Sequence, residues 1–241
     1  MTKMKIFLFF VMVTAAPWLR GEELPDWYTQ LRDAVYSQIL SSGDITSLYT
    51  TTRDRAGKEL SGAALSVMLS RCEYMMGRSY EYEENKDAAS ACYEKGMNYA
   101  QEALDREASP EGWQMLAENI AHACNVRSTT YLMANGTKVE RYSKNVLNLD
   151  PGNTAAQFMI AARYVYAPSP FNNYKKGLQM LQAILSDYDS RLQRDDRFNV
   201  YSSIGYTYSQ QKKKDDAKVW YTKALEVYPD NKYVKKLIAA L

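Results

Sequence analysis

One histidine and three cysteines set narrow limits on what this chain of 241 residues can catalyse. His122 follows Glu118 by four positions, a spacing that puts both on one helix face, as in zinc sites where a second histidine completes the pair. No second histidine exists, so His122 reads as a packed or exposed helix residue. Cys72, Cys92 and Cys124 fall on three separate expected helices without metal-type spacing, and a nucleophilic cysteine would need its base beside it. They read as packing residues. An oxidised link between Cys72 and Cys92 stays open for an exported chain, with one thiol left over. The paired acids Glu22–Glu23 and Glu83–Glu84 come with no apolar pocket that would split them into a general acid and a general base. Asn135, Gly136 and Thr137 form a glycosylation triplet by formula, which matters only in a eukaryotic source. The expectation is therefore no enzyme, no metal and no cofactor.

The elements that would carry these residues are helices. Hydrophobic residues make up 46% and charged residues 24% of the chain, the balance of one globular body or a short helical array, and eleven Gly with seven Pro are too few for a sandwich of many turns. From Pro25 onward apolar residues recur every three or four positions, interrupted at Gly43, Ser109–Gly112, Pro151–Asn153, Pro168–Asn173 and Pro229–Asn231. Ser109, Pro110 and Glu111 supply a capping oxygen, a proline at the first helical position and an acid at the positive end of the dipole. The spacing predicts helices over 26–41, 44–58, 61–84, 86–107, 110–134, 137–149, 154–167, 173–188, 196–211, 214–228 and 231–240.

The first residues follow a different grammar. Lys3 and Lys5 precede a charge-free stretch, Ile6 to Leu19, that ends near the small residue Gly21. That is the pattern of a signal peptide, 1–21, followed by an N-terminal helical segment, 22–60, and an array, 61–241. The apolar run falls short of the roughly 18 residues of a permanent membrane helix, so no integral membrane segment is expected after cleavage. The first cysteine is Cys72, which leaves no thiol for a lipid anchor at the cleavage site. Removing 1–21 takes away Lys3, Lys5 and Arg20 and no acid, leaving 27 basic and 28 acidic residues. The one basic run, Lys212 to Lys214, is followed by Asp215 and Asp216, so nucleic acid is not an expected partner.

A repeat organises the rest. Tyr201, Ile204, Gly205, Tyr208, Ala217, Tyr221, Ala224 and Pro229 stand at the intervals of a 34-residue helical hairpin in which small residues mark the closest approach of two antiparallel helices, aromatic residues fill the gaps beside them and proline ends the second helix. Displaced by 128 residues, Gly77, Tyr80, Ala89 and Tyr93 occupy the offsets of Gly205, Tyr208, Ala217 and Tyr221. Here Gly96 replaces the second Ala and Gln101 the proline, so the second helix should run on to about Glu107. Ala161 and Tyr164 begin a third unit whose partners Gly177 and Leu181 arrive four residues late, after Pro168, Ser169, Pro170 and Phe171. The pair over 110–149 reads as a degenerate unit. These residues resemble the tetratricopeptide repeat, which implies an all-α solenoid of helical hairpins, a right-handed superhelix with divergent central repeats. The combination of export signal, over-long helix and Pro-Phe insertion is similar to the tetratricopeptide subunits of periplasmic TRAP transporters.

What the family implies is binding without catalysis, in a concave groove lined by first-helix side chains that point away from the second helix. Counted from Gly77 these are Arg71, Tyr74, Arg78, Glu81 and Tyr82. Counted from Gly205 they are Asn199, Ser202, Tyr206, Ser209 and Gln210. Arg71, Tyr74 and Arg78 form a stripe able to hold a carboxylate between two guanidiniums, unless Glu73, Glu81 and Glu84 already pair with them. The expected partner is a protein or peptide, met in the periplasm or outside the cell. The alternative is a ligand-handling accessory of a solute transporter, associated with a solute-binding protein or a small organic acid.

Overall fold

The computed structural model describes residues 24–241, so the expected signal segment lies outside the described residues. Among them the chain is helical throughout: α1 (Asp26–Ser37), α2 (Ser42–Glu59), α3 (Gly62–Tyr82), α4 (Lys86–Arg106), α5 (Pro110–Val126), α6 (Thr129–Leu149), α7 (Thr154–Tyr166), α8 (Tyr174–Tyr188), α9 (Arg194–Gln210), α10 (Lys214–Val227) and α11 (Lys232–Ala239), with a 3-10 turn at Asp189–Arg191. Side chains fix most of the starts. Ser41, Asn85, Ser109, Ser128, Asn153, Asn173 and Asn231 each accept the backbone N–H three residues on, satisfying a donor that the first helical turn leaves unpaired.

The helices pair as antiparallel hairpins, α1–α2, α3–α4, α5–α6, α7–α8 and α9–α10, and α11 packs on the last. In the two hairpins with the clearest sequence signal the physical basis of the repeat is direct. A Cβ built on Gly77 would lie 2.4 Å from the Tyr93 ring, and one on Gly205 would lie 2.6 Å from the Tyr221 ring. Ala89, Ala217 and Ala224 are fully buried. The turns between the paired helices repeat as well. Glu84 and Lys212 both sit at φ 61°, and the N–H of the next residue reaches back to the carbonyl of Tyr80 or Tyr208. As its missing proline implies, α4 continues to Arg106, while α10 stops at Val227 beside Pro229.

The expected helix over 110–134 is two helices. The chain turns at Arg127 and Ser128, not at Asn135 and Gly136. Arg127 is pinned to α4, donating to Ser90 Oγ at 2.6 Å and to Glu94 Oε2 at 2.7 Å, and its guanidinium lies over the Tyr131 ring. Ser128 then caps α6. Gly136 is an interior residue of α6, and Asn135 bonds the carbonyl of Tyr131 one turn back. The 110–149 pair is thus a full-length hairpin whose turn lacks glycine and proline.

Alternate helices form the inside of the array. α1, α3, α5, α7 and α9 each touch the next in that order, and α9 returns to α1. Five inner helices therefore close into a ring, with α2, α4, α6, α8 and α10 outside it. The closure is built from side chains far apart in sequence. Arg32 pairs with Asp195 at 3.1 Å, Asp33 with Arg194 at 2.9 Å, and Tyr228 donates to Asp33 at 2.7 Å. The fully buried Tyr36 stacks on Tyr228 and meets Phe198 edge-on, accepts a bond from Asn199 on its hydroxyl and one from Asn231 on its carbonyl. One apolar core consequently runs from Trp27 in α1 to Val234 in α11, and α1 is a structural member of the same body as the repeats.

Candidate functional site

The ring encloses a cavity of about 1190 Å³. Its wall is formed mainly by inner helices, joined by Leu132, Gly136 and Val139 of α6 and Tyr233 of α11, and is closed on one side by Ala34, Val35 and Tyr36 of α1. Seven of the ten residues expected to face the groove, Tyr74, Arg78, Glu81, Tyr82, Asn199, Ser202 and Tyr206, line this one space, and Ser209 and Gln210 do not. First and last repeats thus share a single chamber, where the sequence implied two stretches of a groove. Arg71 does not line it. α1 packs across α3, and Arg71 lies within electrostatic reach of Tyr28 on α1 and of Glu111 and Glu118 on α5. The stripe of two arginines about a tyrosine is therefore not presented as a unit.

Arg78 is engaged as well. Its guanidinium lies between the rings of Tyr36 and Tyr82, at 5.4 and 5.2 Å from their centroids. One nitrogen donates to the Tyr82 hydroxyl at 2.7 Å, and another contacts His122 Nε2 at 3.1 Å. His122 also contacts the Tyr74 hydroxyl at 3.2 Å and Glu81 Oε2 at 2.8 Å, and Tyr93 donates to the same Glu81 oxygen at 2.6 Å. Burial works against the Glu81 charge, but His122, Arg78 and Tyr93 outweigh it and bring its carboxyl down to about 2. Burial lowers the His122 pKa in spite of Glu81. The one histidine is a hub between α3, α4 and α5, in line with a packed residue. Glu118 and His122 do share a face, and that face is the cavity wall.

A second polar group lies one or more turns nearer the N-terminal ends of the inner helices. Glu118 accepts a bond from Gln114 at 2.8 Å, Asp196 one from Thr154 at 3.0 Å, and Asp195 meets Arg32. Burial pushes the Glu118 carboxyl up to about 7, with Arg71 acting the other way. Burial also raises Asp196, and its neighbours Asp195 and Glu118 add to the effect. At the opposite end stand exposed apolar residues, Leu40, Met133, Tyr166, Phe171 and Tyr233, from five separate parts of the chain. They share the mouth with Glu83, Lys232 and the exposed pair Glu84 and Lys236, 3.8 Å apart. Between mouth and acids α9 runs from Asp196 to Tyr206, which at 1.5 Å per residue is about 15 Å.

Sequence reasoning did not find the α1 residues or the acids at 195 and 196. The signal for α1 was present, since Trp27, Tyr28, Leu31, Val35 and Tyr36 make an aromatic-rich stripe at helical spacing, all of it buried. Cys72, Cys92 and Cys124 are free, buried thiols pushed by burial up to about 12, 11 and 11, far from the thiolate that reactivity requires. Among the described residues no group of three metal-ligating side chains occurs, and no helix is long and apolar enough to cross a membrane.

Comparison with known proteins agrees with this architecture. Residues 74–102 and 198–231 match models of the tetratricopeptide repeat, the former spanning most of the α3–α4 hairpin and the latter α9–α10. No curated protein matches the chain. The fold is similar to that of a thermophilic tetratricopeptide-repeat protein of Thermus thermophilus, with a TM-score of 0.53 at 13% identity over 83% of this chain and 89% of the other. A looser likeness, TM-score 0.38 at 14% identity over 87% of this chain and 96% of the other, is to YrrB, a repeat protein described as having an unusual peptide-binding site.

Proposed function

Because the chain is a tetratricopeptide-repeat protein, we propose that it is a non-catalytic, exported scaffold that takes a peptide segment of a partner protein into the chamber inside its helix ring. The observation that carries the reading is the convergence of inner-helix side chains from all five hairpins on one cavity with an apolar mouth. Stacked hairpins present their inner helices to partners. A concave site of mainly apolar lining with a few placed polar groups is the usual form of a binding pocket. Tyr166 and Tyr206, tilted rings 5.0 Å apart at the mouth, give such a segment an aromatic anchor.

The test is photo-crosslinking in the native compartment from a benzophenone amino acid at Tyr206, on the inner wall, with Val219, exposed on α10 of the outer layer, as control. Adducts to a protein should form from Tyr206 and not from Val219, on a chain whose intact mass starts at Glu22. Equal adducts from both positions would assign binding to the outside of the ring, and a retained Met1 would remove export from the proposal. A second reading, a ligand-handling accessory of a solute transporter, draws on the enclosure of the chamber, whose volume accommodates a small solute whole. It expects a small molecule, such as an organic acid, to co-purify.

A further inference from the structure

We infer that the chamber receives the positively charged leading end of a polypeptide, an amine-bearing terminus followed by apolar residues, inserted through the mouth toward Glu118 and Asp196. The inference rests on the peptide-binding reading and deepens it by giving the segment a polarity and a direction.

Charge complementarity sets the polarity. The cavity is lined by six acidic side chains, Glu81, Glu83, Glu84, Glu118, Asp195 and Asp196, of which burial holds Glu118 and Asp196 toward the neutral form until a cation joins them, against four side chains of permanent positive charge, Arg78, Arg163, Lys232 and Lys236. Of the four, Arg78 is occupied by Tyr36, Tyr82, His122 and Glu81, and Arg163 is paired with Glu140. A carboxylate entering the chamber would therefore find few uncommitted donors. The acids at the far end are less completely served. Glu118 and Asp196 accept bonds from Gln114 and Thr154, neither of which carries charge, and Arg71 and Arg32 act on them only from a distance. Asp195, beside Asp196, is already paired with Arg32 at 3.1 Å and its Oδ1 is shielded from solvent, so Glu118 and Asp196 are the two far-end acids without a charged partner among the described residues. An ammonium group brings three donors and a positive charge to these two acids.

Shape sets the direction. The ring is closed by the α1–α9 contacts, so a segment cannot be laid along an open groove from the side. It enters end-on past Leu40, Met133, Tyr166, Phe171 and Tyr233, which suit apolar residues. At about 3.3 Å per residue an extended chain needs about four or five residues to cover the 15 Å or so to the acids.

The test uses fluorescence anisotropy of the full chain with three decapeptides labelled at their C-termini. They are identical in an alternating Leu/Ala body and differ in the leading residue: lysine with a free amine, acetyl-glutamine, or acetyl-glutamate. The lysine-led peptide should bind about tenfold or more tighter than the acetyl-glutamine one. That preference should vanish in the double variant E118Q/D196N, which keeps the shape of both side chains and whose unchanged circular dichroism and thermal midpoint would show it folded. Ala162→Trp, which narrows the cavity wall, should abolish binding of all three. Equal binding of the three peptides through the chamber, or preference for the glutamate-led one, overturns the inference and leaves the peptide-binding reading standing. No binding by any peptide overturns both. Octylamine competing as well as the lysine-led peptide would replace a polypeptide end by a small amine and overturn the inference in that form.

Discussion

Glu118 and His122, one turn apart on α5, are driven by burial toward the same outcome, a neutral side chain, although one is an acid and the other a base. For Glu118 the pKa in the fold, about 7, lies above the ordinary 4.5. The contribution of its neutral form to stability is complete below about 4.5 and is lost as pH rises through 7. Asp196 acts in the same direction, whereas His122 acts in the opposite one as pH falls through its ordinary range. Comparison of E118Q with the parent isolates the first effect. Urea midpoints measured from about pH 4.5 to about pH 8 should show the parent losing on the order of 1–2 kcal/mol more than E118Q across that span. Parallel profiles would mean that Glu118 is hydrated in the folded chain. Glu81 contributes at the other extreme: its carboxyl lies below the ordinary value, so its share is present above about 4.5 and lost toward 2.

At the scale of the element, the close approach of paired helices was legible because it demands particular residues at particular places. Gly205→Leu should destabilise the last hairpin by about 1–3 kcal/mol through overpacking, since the added side chain meets the Tyr221 ring at once. Gly57→Ala in α2, where nothing lies within 4 Å of the new Cβ, should instead raise the thermal midpoint by the equivalent of about 0.5–1 kcal/mol. Two variants shifting in the same direction would show that the glycine of the repeat is not a contact point. The turn at Arg127–Ser128 was illegible for a related reason. It is enforced by the bonds of Arg127 to Ser90 and Glu94 across to α4, and such tertiary pinning leaves no glycine or proline in the local sequence. The chamber was legible by halves. Repeat offsets located Tyr74, Arg78, Tyr82, Asn199, Ser202 and Tyr206 on the inner wall, but the acids at 195 and 196 stand in the first turn of α9, ahead of the stretch where those offsets carry information.

For the whole molecule the decisive contact is the one between its beginning and its end. Asn231 is fully buried, caps α11 through Val234 and donates to the carbonyl of Tyr36 at 2.7 Å. Asn231→Ala removes a cap and leaves that carbonyl without its partner, a loss of about 1–3 kcal/mol. Its signature should be spatial. Hydrogen exchange should accelerate in α1 as well as in α11, elements some 195 residues apart in sequence. Acceleration confined to α11 would mean that the two ends fold as independent units.

An open array of repeats can lengthen or shorten by one hairpin and still present two free ends. A closed circuit of five inner helices has no such freedom, because one unit more or fewer would carry α1 away from α9 and strand Arg32, Tyr36 and Asn231 without their partners. The number of hairpins is in this sense an integer fixed by the circumference. The over-long α4 and the extra residues ahead of α8 adjust spacing within that count without altering it.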